Sequence, residues 1–292
     1  MPYKNIAVIG SGLIGGPISK ALLAEGANVT VISRTGSTSV KDLPAAIKVV
    51  SVSLTDVPAL AATFKEHSIE VVVSTVAHAA LPQQHMLGDA AKQAGVKLFI
   101  PSEFGFSTLG LTEGELGLKA KFAEYLEEIG LPFTRIFTGG FITFIPWNLD
   151  ISSGKVRIFG KGDEKASFTD TDDIAGFVGY VLTHLASAEL ENKILRIQGE
   201  AASFLDIAAY YPTLPVEHIE EPFSGPDGEF KSFIQNLINS GQGSVGYSAA
   251  AGKKLTGADA TGASNALWPG HKWRGIKEGL EKISSKVPVV YM

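Results

Sequence analysis

The chain has 292 residues, 45% of them hydrophobic and 19% charged, and a formal net charge of −5. That balance suits a globular protein with a large core and excludes the clustered Lys and Arg of a nucleic-acid surface. Cysteine is absent, which excludes disulfides, thiolate nucleophiles, zinc-thiolate centres and iron–sulfur clusters.

The first residues lack the apolar stretch and cleavage site of a signal peptide. No window of about 18 apolar residues occurs, so no membrane helix is expected and the expected location is cytosolic. Ile6-Ala7-Val8-Ile9 is a short apolar run ending in glycines, followed by a helical stretch from Leu13 to Glu25. Strand candidates follow at 28–32, 47–52, 71–75 and 97–100, separated by helical patterns at 57–65 and 86–94. A clear helix runs from Glu115 to Ile129, and Pro132 to Phe137 is a sixth strand candidate. Short β-rich runs alternating with helices predict a parallel sheet covered on both faces, the Rossmann-like doubly wound α/β class.

Beyond Phe141 the rhythm loosens. Strands are expected at 156–159 and 193–197, with a helix from Asp172-Asp173 to about Leu185. The Gly-, Ser- and Pro-rich stretch from Glu220 to Gly270 holds one expected helix, Glu229 to Ile238. The expected organisation is a cofactor-binding part over 1–150, with 151–292 supplying the remaining elements and a smaller, loop-rich substrate lobe interleaved with it.

Gly10-Ser11-Gly12-Leu13-Ile14-Gly15 matches G-x-G-x-x-G, a weak pattern by itself among 32 glycines. A second match, Gly241-Gln242-Gly243-Ser244-Val245-Gly246, follows a helix and opens none, so it is a decoy. The first match has the required context of strand, turn and helix. Its glycines permit the turn, admit a pyrophosphate to the backbone, and let helix and strand pack closely. The helix N-terminus then offers free N–H groups to the phosphates. The second strand ends Ile32-Ser33-Arg34-Thr35, with no acid until Asp42. An arginine there suits the 2′-phosphate of NADPH, with Ser33, Thr35 and Ser37 as further donors.

Lys97-Leu98-Phe99-Ile100-Pro101-Ser102-Glu103-Phe104-Gly105 resembles the P-S-E-F-G signature of the NmrA-like and isoflavone-reductase-like atypical short-chain reductases. Val73-Ser74-Thr75-Val76 resembles their S-T-V turn, and Leu118-Lys119-Ala120-Lys121 their lysine-bearing helix. Phe168 to Ile174 resembles a later segment, and the match runs from about residue 4 to 200. The resemblance implies a Rossmann-like part, NADPH, and a substrate cleft roofed by C-terminal elements. It places Thr75, Val76, Ser102, Glu103, Phe104 and Phe141 at the cofactor and makes Lys119 the catalytic residue. The chain departs from the plant reductases in a shorter 105–119 stretch, in Gly139 where they carry Asn, and in Phe106 where they carry an acid. No Y-x-x-x-K occurs, so the ordinary Tyr–Lys pair of short-chain dehydrogenases is missing.

Helix geometry bears on Lys119 independently. At 100° per residue it shares a face with Leu116, Phe122, Ala123, Leu126 and Ile129, while Lys121 points the opposite way. An ammonium on an apolar face snorkels outward, pairs with a carboxylate (here Glu115, one turn earlier) or is functional.

The six histidines form no metal-ligand spacing, and no metal site is expected. His78 follows the Ser74-Thr75-Val76 turn and is expected to be an ordinary loop residue. Asp170, Asp172 and Asp173 lack the pattern of a calcium loop and are expected to cap a helix. Phe104, Phe106, Phe141, Phe144 and Trp147 follow strand ends and are either substrate-pocket lining or ordinary packing.

The leading expectation is an NADPH-dependent reductase of a small aromatic or conjugated substrate, with Lys119 as general acid. The rival is a non-catalytic protein that senses redox state through NADP. A dehydratase or epimerase using bound NAD is disfavoured by Arg34. Monomer and homodimer stay open, with neither nucleic acid nor membrane as partner.

Overall fold

A computed structural model describes residues 1–34, 36–225 and 227–283. In chain order the first elements are β1 (Asn5–Ile9), α1 (Gly15–Ala24), β2 (Asn28–Ser33), β3 (Lys48–Ser51), α2 (Val57–Glu66) and β4 (Val71–Ser74). Then come a 3-10 turn (His78–Gln83), α3 (Gln84–Ala94), β5 (Leu98–Ile100), α4 (Gly114–Glu128) and β6 (Thr134–Phe137). The later elements are β7 (Gly140–Phe141), α5 (Ile145–Asn148), β8 (Val156–Phe159), β9 (Ala166–Thr169), α6 (Thr171–His184) and β10 (Lys193–Arg196). After them follow β11 (Glu200–Ala202), α7 (Phe204–Ala208), β12 (Val216–Ile219), α8 (Gly228–Asn239), β13 (Tyr247–Ser248), β14 (Lys253–Lys254) and α9 (Ile276–Ile283).

The chain divides into two units, and neither is continuous in sequence. The first comprises Met1–Glu103, Gly110–Ile136 and Ile174–Leu195; the second comprises Phe104–Leu109, Phe137–Asp173 and Arg196 onward.

In the first unit five strands pair in the order β3-β2-β1-β4-β5, all parallel. The order reverses at β1, where the chain leaves the centre in one direction and returns to continue in the other. Phe99 of β5 extends the array by a parallel bridge to Phe133, just before β6. β1 and β4 are buried along almost their whole length because helices cover both faces, which is why their sequences are continuous apolar runs rather than alternating ones. Phe64 of α2, Leu87 and Ala91 of α3, Phe99, and Phe122 and Leu126 of α4 pack into one core cluster under the sheet. Each such phenylalanine contributes roughly 2–3 kcal/mol by leaving water.

On the other side α6 packs against α1 through a glycine. A Cβ on Gly179 would stand 3.2 Å from Ala21, so the bare Cα lets the two helices approach without either giving way. α2 is capped by the Asp56 side chain, which accepts the Ala59 N–H at 3.0 Å. α3 ends at Gly95, whose φ of +76° closes the last turn.

In the second unit β9 lies between β7 and β11, and β8 pairs with β12. Strands β7, β9, β11 and β12 carry no sequence expectation because they are short and lack a clear period. The expected helix over 229–238 is α8. The second glycine motif begins straight after it. The Gly243 carbonyl accepts Ser167 N–H at 2.8 Å, and a Cβ on Gly243 would meet Ala166 Cβ at 2.7 Å. Close packing against β9 explains Gly243, Thr261 crowds Gly246, Gly241 adopts φ +76°, and no helix follows them directly.

Candidate active site

The carboxyl ends of β1, β2, β4 and β5 gather the site of the first unit. After β1, Gly10 adopts φ +89°, and its N–H continues the ladder to the Ile32 carbonyl at 2.9 Å. That conformation belongs to glycine. A Cβ on Gly12 would meet nothing within 4 Å, whereas one on Gly15 would land on the Gly10 carbonyl and the Thr75 hydroxyl. The two glycines therefore do different work: Gly12 leaves space in front of the turn, and Gly15 lets α1 close on the strands. Leu13 is exposed and Ile14 buried, so the turn shows one side chain outward and pins itself with the next. The first turn of α1 contains no acid, and its cap Ile14 offers no side-chain acceptor. Nothing negative there opposes a phosphate.

A chain of hydroxyls joins this turn to the end of β2. Ser11 Oγ lies 2.8 Å from Ser39 Oγ, which lies 2.9 Å from Ser37 Oγ. Ser37 N–H donates to the Arg34 carbonyl at 3.1 Å, and Arg34 itself is exposed. Ser33 is buried as the last residue of β2. Thr35 lies outside the described residues. Sequence reasoning singles out Ser37 but not Ser11 or Ser39; a serine inside a glycine motif and another in the following loop are the available signal.

Thr75 Oγ1 donates to the Ile9 carbonyl at 2.8 Å, locking the end of β4 to the end of β1. Val76 is half-buried, and its carbonyl accepts from Ser102 Oγ at 2.9 Å. Gln84, the first residue of α3, joins the two strand ends. Its Oε1 accepts from Ser74 Oγ at 2.9 Å and from Ser102 N–H at 3.0 Å. A glutamine ten residues beyond a strand gives no sequence signal for this.

Lys119 sits in the first half of α4, half-buried, with Nζ donating to the Glu103 carbonyl at 2.6 Å. Lys121 is exposed, as the helix face predicts. Burial holds the Lys119 ammonium below the usual lysine range, against the opposing pull of Glu103 and Glu115. Glu115, the carboxylate one turn earlier, has its Oε2 2.7 Å from His78 Nδ1. His78 is thus paired rather than an ordinary loop residue. Desolvation lowers its pKa, Lys119 adds to that, and Glu115 works the other way. Behind Lys119, Arg135 Nε donates to Glu103 Oε1 at 2.7 Å, and both side chains are almost wholly buried. Neither half of that pair stands out in sequence as an ion pair.

The expected aromatic positions belong to the second unit. Phe104 and Phe106 are buried there. Phe141 and Phe144 stack with centroids 5.9 Å apart, Trp147 meets Phe144 edge-on at 6.1 Å, and Phe230 continues the series at 6.1 Å from Trp147. Lys231 lies over the Trp147 ring at 5.5 Å and donates to Asp150 Oδ1 at 2.8 Å. Asp170 accepts Asp172 N–H at 2.9 Å, the expected capping contact, but it also holds Arg274 Nη1 at 2.5 Å. Among the described residues no group of acids and histidines is arranged to hold a metal, and no helix is long and apolar enough to cross a membrane.

The model of the NmrA-like family matches residues 2–213. The chain belongs to the NmrA-like family. Within it, a phenylcoumaran benzylic ether reductase of Ginkgo biloba is 28% identical over 72% of this chain and 75% of its own length. One of Populus trichocarpa is 34% identical over 49% of this chain, a match spanning 50% of that protein. Among solved structures, the leucoanthocyanidin reductase–NADPH complex of Vitis vinifera superposes with a TM-score of 0.79 over 96% of this chain and 99% of that one, at 22% identity. That likeness establishes the NmrA-like, Rossmann-type fold.

Proposed function

We propose that the chain is an NADPH-dependent reductase of the atypical short-chain type, acting on a small aromatic or conjugated substrate of carbonyl, quinone-methide or benzylic-ether type. Lys119 carries the reading. A lysine whose burial lowers its proton affinity donates to the carbonyl just beyond β5, at the same carboxyl edge of the sheet where the glycine turn after β1 leaves open space. Ligands of open α/β sheets bind at that edge. The names of the ginkgo and poplar relatives support the reaction class, and the NADPH complex of the grapevine reductase supports the cofactor.

The residues fit a phosphorylated dinucleotide. Gly12 leaves open space at the turn, Gly10 and Gly15 let the turn close, the first turn of α1 carries no acid, and Arg34, exposed just after β2, would supply the cation for a 2′-phosphate. Family resemblance assigns Thr75, Val76, Ser102, Glu103, Phe104 and Phe141 to the cofactor. When bound, NADPH supplies the hydride. Lys119 Nζ gives a proton to the oxygen that accepts or leaves with the electron pair, and the resulting amine regains a proton from water. A depressed pKa makes the ammonium a stronger acid near neutral pH.

The test is NADPH consumption against a panel of benzylic ethers, quinone methides and conjugated carbonyls. Turnover with at least one class, faster with NADPH than NADH, is expected. Tight NADPH binding without consumption across the panel would favour the redox-sensing alternative.

A further inference from the structure

Glu103 acts on Lys119 in two ways. Its carbonyl accepts the Nζ proton at 2.6 Å, and its carboxylate attracts the same ammonium through space. The carboxylate is itself anchored by Arg135 Nε at 2.7 Å, with the two side chains 0% and 8% exposed. A buried ion pair costs more desolvation than apolar side chains of the same volume, so stability alone is a poor reason for placing one here. The backbone beside it is also tightly turned. Glu103 N–H donates to the Pro101 carbonyl at 2.7 Å, and Phe104 has φ +24°. A non-glycine residue in that region persists only where its surroundings hold it.

We propose that the Arg135–Glu103 ion pair is a positioning device for Lys119, fixing the carbonyl to which Nζ donates and balancing the carboxylate charge beside the ammonium. The inference rests on the reading of Lys119 as the proton donor. Other charges face Lys119 from its own helix, where Glu115 stands one turn earlier, and from the 3-10 turn, where His78 pairs with Glu115. Asp89 and His85 of α3 instead meet Tyr125, further along α4.

A charge-balancing role makes a prediction that a merely structural one does not. Arg135→Met removes the cation 2.7 Å from the Glu103 carboxylate, so Lys119 holds its proton more tightly. Glu103→Gln removes the anion that attracts the ammonium, so Lys119 releases its proton more easily. Removing both charges cancels the two effects.

The full chain is reductively methylated with ¹³C-formaldehyde, and the methyl signals are followed through a pH titration by NMR. The Lys119 signal is assigned by its absence in Lys119→Arg. The expected midpoint moves up by about one pH unit in Arg135→Met and down by about one in Glu103→Gln. It stays near the parent value in the double variant and in Arg135→Lys, which keeps the charge. Single variants that both move it in one direction, or leave it in place, overturn the proposal. Should a single variant fail to fold, Arg135→Lys and the double variant decide: a shifted midpoint in either overturns it. Opposite shifts alongside full turnover in Lys119→Met would instead remove the proton-donor reading and leave the charge balance standing.

Discussion

Lys119 Nζ and the Glu103 carbonyl oxygen lie 2.6 Å apart, which ties a side chain of α4 to the backbone just beyond β5. An amine held there is oriented without a partner carboxylate in direct contact, because Glu115 is engaged with His78. Lys119→Met should keep the fold and NADPH binding while lowering turnover by roughly 10²–10⁴-fold, the usual contribution of a positioned general acid. Lys121→Ala, on the exposed face, should leave both unchanged. Steady-state kinetics beside NADPH fluorescence titration makes the check; a Lys119→Met protein turning over at the parent rate removes the role.

Arg34 is exposed at the end of β2, with no acid following it in sequence until Asp42. Arg34→Ala should weaken NADPH binding by about 1.5–3 kcal/mol, tenfold or more, and leave NADH binding nearly unchanged. Calorimetric titration of both cofactors tests this. Equal affinities for the two in the parent protein would mean that no group reads the 2′-phosphate.

Gly12 and Gly15 should fail differently. A side chain at Gly12 meets nothing in the protein, so Gly12→Val should melt like the parent yet lose the dinucleotide, since it fills the space the pyrophosphate needs. Gly15→Ala drives a methyl group into the Gly10 carbonyl and the Thr75 hydroxyl, and should cost roughly 1–3 kcal/mol of stability. Gly243→Val is no neutral control, because its Cβ would press on Ala166 and Ile238. Melting curves and cofactor titrations that move together in both variants would contradict the division of labour.

The contrast between these glycines marks what sequence makes legible. The parallel sheet is readable because β1 and β4 are buried almost throughout and so are written as short apolar runs. The glycine turn is readable from its position between a strand and a helix. The lysine is readable from the helical period, which separates Lys119 from Lys121. The Gln84 bridge, the Ser11–Ser39–Ser37 chain and the Arg135–Glu103 pair are not, since each joins residues from separate elements through single polar atoms. Asp170 illustrates the same limit: capping is legible from its place before α6, but its bond to Arg274, 104 positions away, is not.

Lys119 should also cost stability, and the sign can be worked out. Desolvation holds its folded-state pKa below the unfolded value of about 10.4, outweighing the pull of Glu103 and Glu115. Below the folded value both states bind the proton, and the folded state bears the full cost of a poorly solvated ammonium. Between the two values the unfolded state binds more protons, so stability rises with pH across that window. Methionine removes the charge with similar volume. Lys119→Met should therefore be more stable than the parent by about 1 kcal/mol at neutral pH, the scale of gain common when a functional group is relieved. The difference should shrink as pH climbs toward the ordinary lysine range. His78, freed of a neighbouring cation, should titrate at higher pH in the same variant, with its desolvation still acting downward. Urea melts from about pH 7 to 10 and the His78 ring-proton NMR signal test both halves. A Lys119→Met protein less stable than the parent at every pH would mean that the bond to the Glu103 carbonyl outweighs the desolvation it accompanies.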